Sequence, residues 1–238
     1  MLNKPRPTHP CNALHPYRWS RSRALRDVVE LNEHLLDLVA ESYRLDPDSE
    51  CDLLAGEARL LATLDPTARR RAADIPLLLV DLNFNDIHWW KGAVHAAERP
   101  VGNPDPSPCI HRWQPTLTRE ALMVAWSAVR EDRSAASLLF GISGSVSALI
   151  GSLSPRQVDY IGVQFSADLR LRWPGSRVFW RRLLSAALTR NESALTAVHL
   201  YALQLIGGEL MRVQEGRVHP SRPARHACGH KALSHTSS

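Results

Sequence analysis

Three groups of arginines are the residues of this 238-residue chain whose chemistry points most directly to a ligand. A guanidinium group presents several donors in one plane and pairs well with phosphate oxygens. The net charge of +5 also favours attraction to polyanions. A run of charge can equally be a solvated helix face, so each group has that alternative interpretation. The candidate DNA-contacting residues are Arg69, Arg70, Arg71, Arg170, Arg172, Arg181 and Arg182.

The sequence offers no convincing catalytic constellation. Gly141 to Ser145 (GISGS) resembles the turn that carries a nucleophilic serine, but Ser145 stands where the last glycine is needed and no strand is predicted before it. A helix cap explains the motif better. Phosphate-binding glycine loops and zinc-protease motifs are also missing from the sequence. We therefore expect no enzymatic activity, no catalytic residues and no cofactor.

Histidines and a cysteine near the end of the chain have the spacing of transition-metal ligands. A metal site needs surrounding groups that orient its ligands, and the polar composition of residues 214–238 predicts a disordered tail instead. We expect no metal there. The other three cysteines are far apart in the sequence, which is typical of a reducing compartment and predicts a cytoplasmic protein. The residues concerned are His219, His226, Cys228, His230 and His235 in the tail, and Cys11, Cys51 and Cys109 before it.

Apolar periodicity predicts helices through most of the first half. A helix begins near Ala24 and stops at Asp46-Pro47, and a second continues to Leu61. Asp65 caps a short basic helix with Pro66 in its first turn. Residues 77–84 are predicted to be extended and residues 86–97 helical. The predicted apolar positions are Leu25, Val28, Leu31, Leu35, Leu38 and Val39, then Leu53, Leu54, Leu60 and Leu61.

The second half is also predicted to be mostly helical. Thr118 is predicted to cap a long helix, and Ser154 with Gln157 forms a capping box for a helix over 154–163. Residues 167–173 are predicted to be extended, with Arg170 and Arg172 on one face. Helices over 176–190 and 192–213 follow. The capping residue of the last helix is Asn191, and its predicted apolar face consists of Leu195, Val198, Leu203, Ile206, Leu210 and Val213.

Residues 135–153 form a run of 19 residues without a charge, which is long enough to cross a bilayer. Five serines and three glycines dilute its apolar character. Gly141 can end one helix and Ser143 can cap the next. We therefore predict two short buried helices and no membrane contact. A membrane-associated protein that uses this run is the weakest of three functional alternatives.

The spacing of several short motifs between Leu117 and Trp173 resembles the flagellar transcriptional regulator FlhD family. Arg172 coincides with an arginine of that pattern. The resemblance implies a mostly α-helical fold of short helices with a short extended segment. It also implies a homodimer that joins a second protein, FlhC, to bind promoter DNA. The motifs are Leu122-Met123-Val124-Ala125, Glu131-Asp132-Arg133, Phe140-Gly141-Ile142-Ser143, Leu153-Ser154, Gln157-Val158 and Arg170-Leu171-Arg172-Trp173.

A weak internal repeat extends the resemblance to the first half. Residues 64–84 overlay residues 153–173 with a constant offset of 89, and Leu31-Asn32 overlays Leu117-Thr118 with an offset of 86. We therefore predict two FlhD-like helical modules in tandem, which could form a pseudo-dimer within one chain or a homodimer. The predicted organisation is a flexible leader over 1–21, modules over 22–98 and 117–213, a proline-rich linker over 99–116 and a basic tail over 214–238.

These observations predict a cytoplasmic subunit of a DNA-binding transcriptional regulator, acting with an FlhC-like partner. The main alternative is a helical adaptor that binds another protein and never contacts DNA. The two differ in one property, because only the first requires a salt-sensitive interaction with duplex DNA.

Overall fold

The computed structural model describes residues 23–45, 57–99 and 113–214. In these ranges 78% of the residues are helical, which confirms the mostly α prediction. The leader, most of the linker, the tail and the predicted helical positions Leu53 and Leu54 lie outside the described residues. The first half contains α1 (Arg23–Leu45), α2 (Ala58–Thr63), α3 (Pro66–Ala73), β1 (Val80–Asp81) and α4 (Ile87–Glu98). The second half contains α5 (Gln114–Glu131), α6 (Arg133–Phe140), α7 (Gly144–Ser152), α8 (Pro155–Gln164), β2 (Arg170–Leu171), α9 (Arg177–Leu188) and α10 (Glu192–Gln214).

Three predicted helix caps are confirmed. The Asp65 carboxylate accepts the Ala68 amide, and the Asn191 side chain accepts the Ala194 amide at 2.9 Å. At α8 the capping box of Ser154 and Gln157 is complete. In each case a side chain satisfies a backbone donor that the first helical turn leaves without a partner.

Thr118 does not cap α5, so that prediction is wrong. The helix begins a turn earlier, at Gln114, because Pro115 is compatible with the first turn of a helix and fixes its backbone there. Thr118 is buried, and its hydroxyl donates to the Gln114 carbonyl at 2.7 Å. Ser143 does occupy the capping position of α7, but its side chain makes no capping bond. The backbone amide of Ser143 donates to the carbonyl of Phe84, which belongs to the first half of the chain.

The uncharged run 135–153 forms two short helices, as predicted. Gly141 ends α6 in the left-handed conformation, with φ 64°, and α6 and α7 meet at an angle of 112°. Within the described ranges, α10 is the one unbroken helix whose length and apolar composition would allow it to cross a membrane, over Glu192–Val213. The bent pair of α6 and α7 would count as a second only if taken together.

The predicted apolar face of α10 is partly wrong. Leu195, Val198 and Ile206 are buried as expected, but Leu203 points outward. Ala202 takes the inward position and is fully buried. The buried face is thus rotated from the prediction toward Ala202, and α10 packs on α9 and α6.

The two halves share one hydrophobic core. In each half, the helix that follows the strand packs on the other half. Helix α4 contacts α7 and α8, whereas α9 contacts α2 and α3. Helices α1 and α5 also pack together. The Phe84 ring stacks on Trp90 and meets the Phe140 ring edge-on, with centroids 6.2 and 6.3 Å apart. Neither half could bury these side chains alone.

The strands join the halves in an antiparallel pair. Val80 lies opposite Leu171 and Asp81 opposite Arg170. A buried amide holds the chain that leads into β1: the Asn32 side chain donates to the Leu77 carbonyl and accepts the Leu79 amide, both at 2.9 Å. This polar residue on the inward face of α1 therefore fixes a loop instead of filling core volume.

Helices α5 and α8 cross closely at Gly162. A Cβ atom there would lie 2.9 Å from Arg119 Cα and 2.7 Å from Arg119 Cγ, so the backbones would have to separate. We expect Gly162→Ala to lower the free energy of unfolding by about 1–3 kcal/mol through overpacking. Gly92→Ala in α4, where a Cβ meets nothing within 4 Å, should raise it by up to about 1 kcal/mol. Urea unfolding of both variants tests the crossing, and equal stabilisation by both would contradict it.

Candidate functional site

Arg172 lies inside the protein, although the sequence placed it among the DNA-contacting residues. Its side chain is 2% exposed. The guanidinium donates to the Leu78 carbonyl at 3.1 Å, to the Phe140 carbonyl, and to Glu209 at 2.9 Å. Its amide donates to Leu79 at 2.8 Å. This position indicates a structural role, because a phosphate could reach the guanidinium only by displacing these partners.

Arg170 and Arg172 both approach the Asp81 carboxylate, as their predicted place on one face of the extended segment implies. Arg170 Nη2 lies 2.7 Å from one carboxylate oxygen and Arg172 Nη2 lies 4.0 Å from the other. The two arginines differ in burial, because the Arg172 side chain continues into the interior while Arg170 stays at the surface. Beyond the regular strand, which ends at Leu171, the chain turns at Trp173, which has φ 53°, and the Trp173 indole donates to Glu209 at 2.6 Å.

Gly141 makes room for the buried guanidinium. A Cβ atom at this position would lie 2.6 Å from Arg172 Nη1. The positive φ of Gly141 also suits glycine better than any residue with a side chain. The helix end predicted from the sequence thus has a second purpose that the sequence did not reveal.

Arg170 is exposed and pairs with Asp81 across the strands. Its Nε and Nη2 atoms lie 3.0 and 2.7 Å from one carboxylate oxygen of Asp81. Beside them is a cavity of about 250 Å³ whose two arginines and two carboxylates are paired with one another. The volume is below that of most ligand pockets, and its lining contains no nucleophile with a base. The cavity is lined by Asp81, Arg170, Leu171, Arg172, Trp173, Pro174 and Glu209.

The pKa of Asp81 lies below its ordinary value. Burial favours the neutral acid and acts to raise the pKa, but the positive charges of Arg172 and Arg170 and the hydrogen bonds from Arg170 and the Phe84 amide outweigh it. The carboxylate therefore stays ionised in the folded protein and helps to balance the charge of the guanidinium groups.

The three arginines of α3 are also engaged within the protein. Arg69 is buried and donates to Asp37 and to the Leu64 carbonyl, which makes it unavailable to an external phosphate. Arg70 is exposed, and its hydrogen bond to Glu33 raises its pKa. Arg71 donates to the Ala187 carbonyl at the end of α9 at 2.9 Å, where a cation complements the helix dipole.

The arginines of α9 face solvent. Arg181 and Arg182 are exposed, and so is Arg177, one turn before Arg181. Arg177 was not among the predicted contacts, although its i, i+4 spacing to Arg181 could have identified it. Of the seven candidates, the structure therefore leaves Arg181 and Arg182 as the clearest surface cations, and it adds Arg177 beside them.

His199 on α10 is a half-buried titratable group that belongs to no motif in the sequence. Burial lowers its pKa, although the nearby charges of Asp74 and Glu192 oppose the shift. Burial likewise raises the pKa of Asp74. Within the described ranges, no group of three or more His, Cys, Asp or Glu side chains could hold a metal ion. The His and Cys residues of the tail lie outside those ranges.

No protein-family model, curated protein or solved structure matches this chain. The resemblance to the FlhD family and the function that it implies therefore stay predictions.

Substitution of Arg172 tests whether it is structural. We expect Arg172→Met to lower the free energy of unfolding by about 3–5 kcal/mol, because Glu209 and the Leu78 and Phe140 carbonyls would lose their partner in the interior. Lysine should not rescue the loss, since one ammonium group cannot reach all these acceptors. The matched control Arg181→Met, at the surface, should change stability by less than about 0.5 kcal/mol. Denaturant unfolding measures both, and a stable Arg172→Met protein would contradict the structural role.

The lowered pKa of Asp81 predicts a pH-dependent contribution to stability. An unfolded aspartate titrates near about 3.9, so the contribution is complete above that pH and is lost as the pH falls through the lower folded pKa. We expect Asp81→Asn to lower the free energy of unfolding by about 2–3 kcal/mol at neutral pH, and less below pH ~3. Urea unfolding over this pH range tests it. Asp159→Asn, which removes an exposed pair with Arg119, is the control and should lose less than about 1 kcal/mol. A loss that does not depend on pH would contradict the charge-pairing account.

Proposed function

We propose that this chain is an internally duplicated, FlhD-like subunit of a DNA-binding regulatory complex in the cytoplasm. The observation that carries the proposal is the exchange of α4 and α9 between two halves, each of which begins with a long helix and ends its common part with a short helix, a strand and a 12-residue helix. Such an exchange around a strand pair is the arrangement expected of a two-fold dimer whose subunits have been joined.

Equivalent positions in the halves support an approximate two-fold relation. Helices α4 and α9 each have 12 residues and begin 90 residues apart, at Ile87 and Arg177. The buried Trp90 and Trp180 have the same separation. Helices α3 and α8 begin 89 residues apart, which agrees with the predicted offset. From the strands onward the offset is 90, so the value of 89 predicted for the whole block is one residue too small there.

The strand pairing is also consistent with this relation. With an offset of 90, Val80 corresponds to Arg170 and Asp81 to Leu171. Val80 lies opposite Leu171, the counterpart of Asp81, and Asp81 lies opposite Arg170, the counterpart of Val80. A two-fold axis between the two pairs requires this arrangement. On α1 and α5, His34 and Glu120 correspond with the offset of 86, and their side chains are 2.8 Å apart.

The proposal assigns DNA contact to exposed arginines and leaves the buried ones aside. Arg177, Arg181 and Arg182 project from α9, which has no acidic residue to oppose them. Phosphate contacts of this kind give affinity without sequence selection. A partner protein of the FlhC type would then supply the base contacts, as the family resemblance implies.

The adaptor is the second candidate function, and the outer side of α10 favours it. Leu200, Leu203 and Met211 are exposed on this helix. Exposed apolar side chains grouped on one element are typical of a contact with another molecule. An adaptor would use this surface without any requirement for the α9 arginines.

Light scattering of the purified full chain tests the joined dimer. If one chain supplies both halves, the protein should be a monomer of 26.6 kDa across the accessible concentration range. The two halves already bury each other's apolar surfaces, which removes the main driving force for forming the same dimer between chains. An obligate dimer would contradict the proposal.

Co-purification from the native host, with and without nuclease, tests the regulatory function. We expect a partner protein in both samples and promoter fragments in the untreated one. The double variant Arg181→Glu, Arg182→Glu should lose the DNA and keep the partner, because it reverses surface charge without changing the core. A partner without DNA enrichment in either sample would reject the regulatory function and favour the adaptor.

A further inference from the structure

The hairpin formed by α9 and α10 (residues 177–214, the α9–α10 hairpin) holds the excess positive charge of the described chain. It has five arginines and two glutamates, a net charge of +3. The other described residues have 15 Arg and Lys against 16 Asp and Glu. One hairpin carboxylate, Glu209, is turned inward to Arg172 and Trp173, so it offsets little of the outward charge.

The same hairpin holds most of the exposed apolar side chains. Eight large hydrophobic residues are exposed in the described ranges, and five of them belong to the hairpin. Of the most apolar 18-residue window of α10, 22% is buried. This concentration is unlike the scattered single apolar residues of an ordinary protein surface. The five residues are Val178, Leu188, Leu200, Leu203 and Met211.

The outer face of α10 carries three exposed large apolar side chains among small and polar residues such as Thr196 and Gln204. Leu200, Leu203 and Met211 follow the spacing that places residues on one side of a helix. The opposite side, with Val198 and Ile206, packs into the core. Because α10 is anchored in this way, its exposed leucines lie along the protein surface. The helix is thus presented lengthwise, and α9, which carries three exposed arginines, packs against it.

We infer that the α9–α10 hairpin binds the surface of an anionic lipid bilayer. The apolar face of α10 would enter the headgroup region, while Arg177, Arg181 and Arg182 would contact acidic headgroups. Helices that lie on membranes combine an apolar face with a flanking basic one in this manner. A nucleic-acid backbone would satisfy the arginines but give the exposed leucines no apolar environment. The proposal concerns a different segment from residues 135–153. It gives the three arginines of α9 a second anionic ligand beside the DNA of the proposed function, and lipid and DNA would compete for them.

Flotation of the full-length protein with vesicles tests the inference. One set contains phosphatidylcholine alone, and the other contains phosphatidylcholine with an equal part of phosphatidylglycerol. We expect binding to the anionic vesicles, weakened at high salt because screening reduces the attraction of arginines to the lipid surface. Binding should be marginal on the neutral set.

Two variants separate the contributions. Leu200→Glu with Leu203→Glu removes the apolar face, and Arg177→Glu with Arg181→Glu and Arg182→Glu reverses the basic one. Each should weaken binding at least roughly tenfold, since acylated and basic membrane anchors commonly need both apolar and electrostatic contributions. Unchanged circular dichroism and urea midpoints would show that the variants fold, because all five residues are exposed.

Matched substitutions elsewhere provide the controls. Met123→Glu with Leu138→Glu changes two other exposed hydrophobic residues, and Arg99→Glu with Arg133→Glu and Arg156→Glu makes the same change in net charge. Both controls should bind anionic vesicles like the unmodified protein. Absence of vesicle binding, or equal loss in the controls, would overturn the inference. Arginine-dependent binding to duplex DNA without vesicle binding would also overturn it and assign the arginines to nucleic acid. The monomer test above is independent of every one of these results.

Discussion

The buried guanidinium of Arg172 joins three parts of the chain that are distant in sequence. It contacts the carbonyl of Leu78 before β1, the carbonyl of Phe140 at the end of α6, and Glu209 on α10. A buried charge is tolerated only when its donors have partners. The position of α10, the turn at Gly141 and the approach of the first half to the second are therefore constrained by one side chain.

The arginines of this chain include buried and exposed ones with different roles. Arg172 and Arg69 are buried and pair with carbonyls and carboxylates within the fold. Arg177, Arg181 and Arg182 lie on the outward side of α9 and face solvent. Buried and exposed arginines contribute equally to the net charge calculated from the sequence. Buried arginines cannot contact a polyanion, so the surface that could bind one is smaller than the basic composition suggests.

Local features of the fold were predictable from the sequence, and long-range ones were not. The caps at Asp65, Ser154 and Asn191 depend on side chains within three residues of the amides they accept. The burial of Arg172 depends on acceptors 32 to 94 residues away, and no local pattern encodes them. The same holds for Leu203, which is exposed, because the side of α10 that is buried depends on its packing partners and not on the α10 sequence alone.

The proposed duplication gives a physical reason for joining two halves in one chain. With the offset of 90, the position that corresponds to Arg172 is Leu82, which is buried beside the aromatic core. A homodimer would have to place the same residue at both positions, so a buried arginine on one side would require a second one, with its own set of buried acceptors, on the other. In this chain Arg172 has Glu209 and Asp81 beside it. A buried arginine without such partners would be strongly destabilising, whereas a leucine needs none. A single chain can keep an arginine on one side and a leucine on the other, so each half can specialise without weakening the shared core.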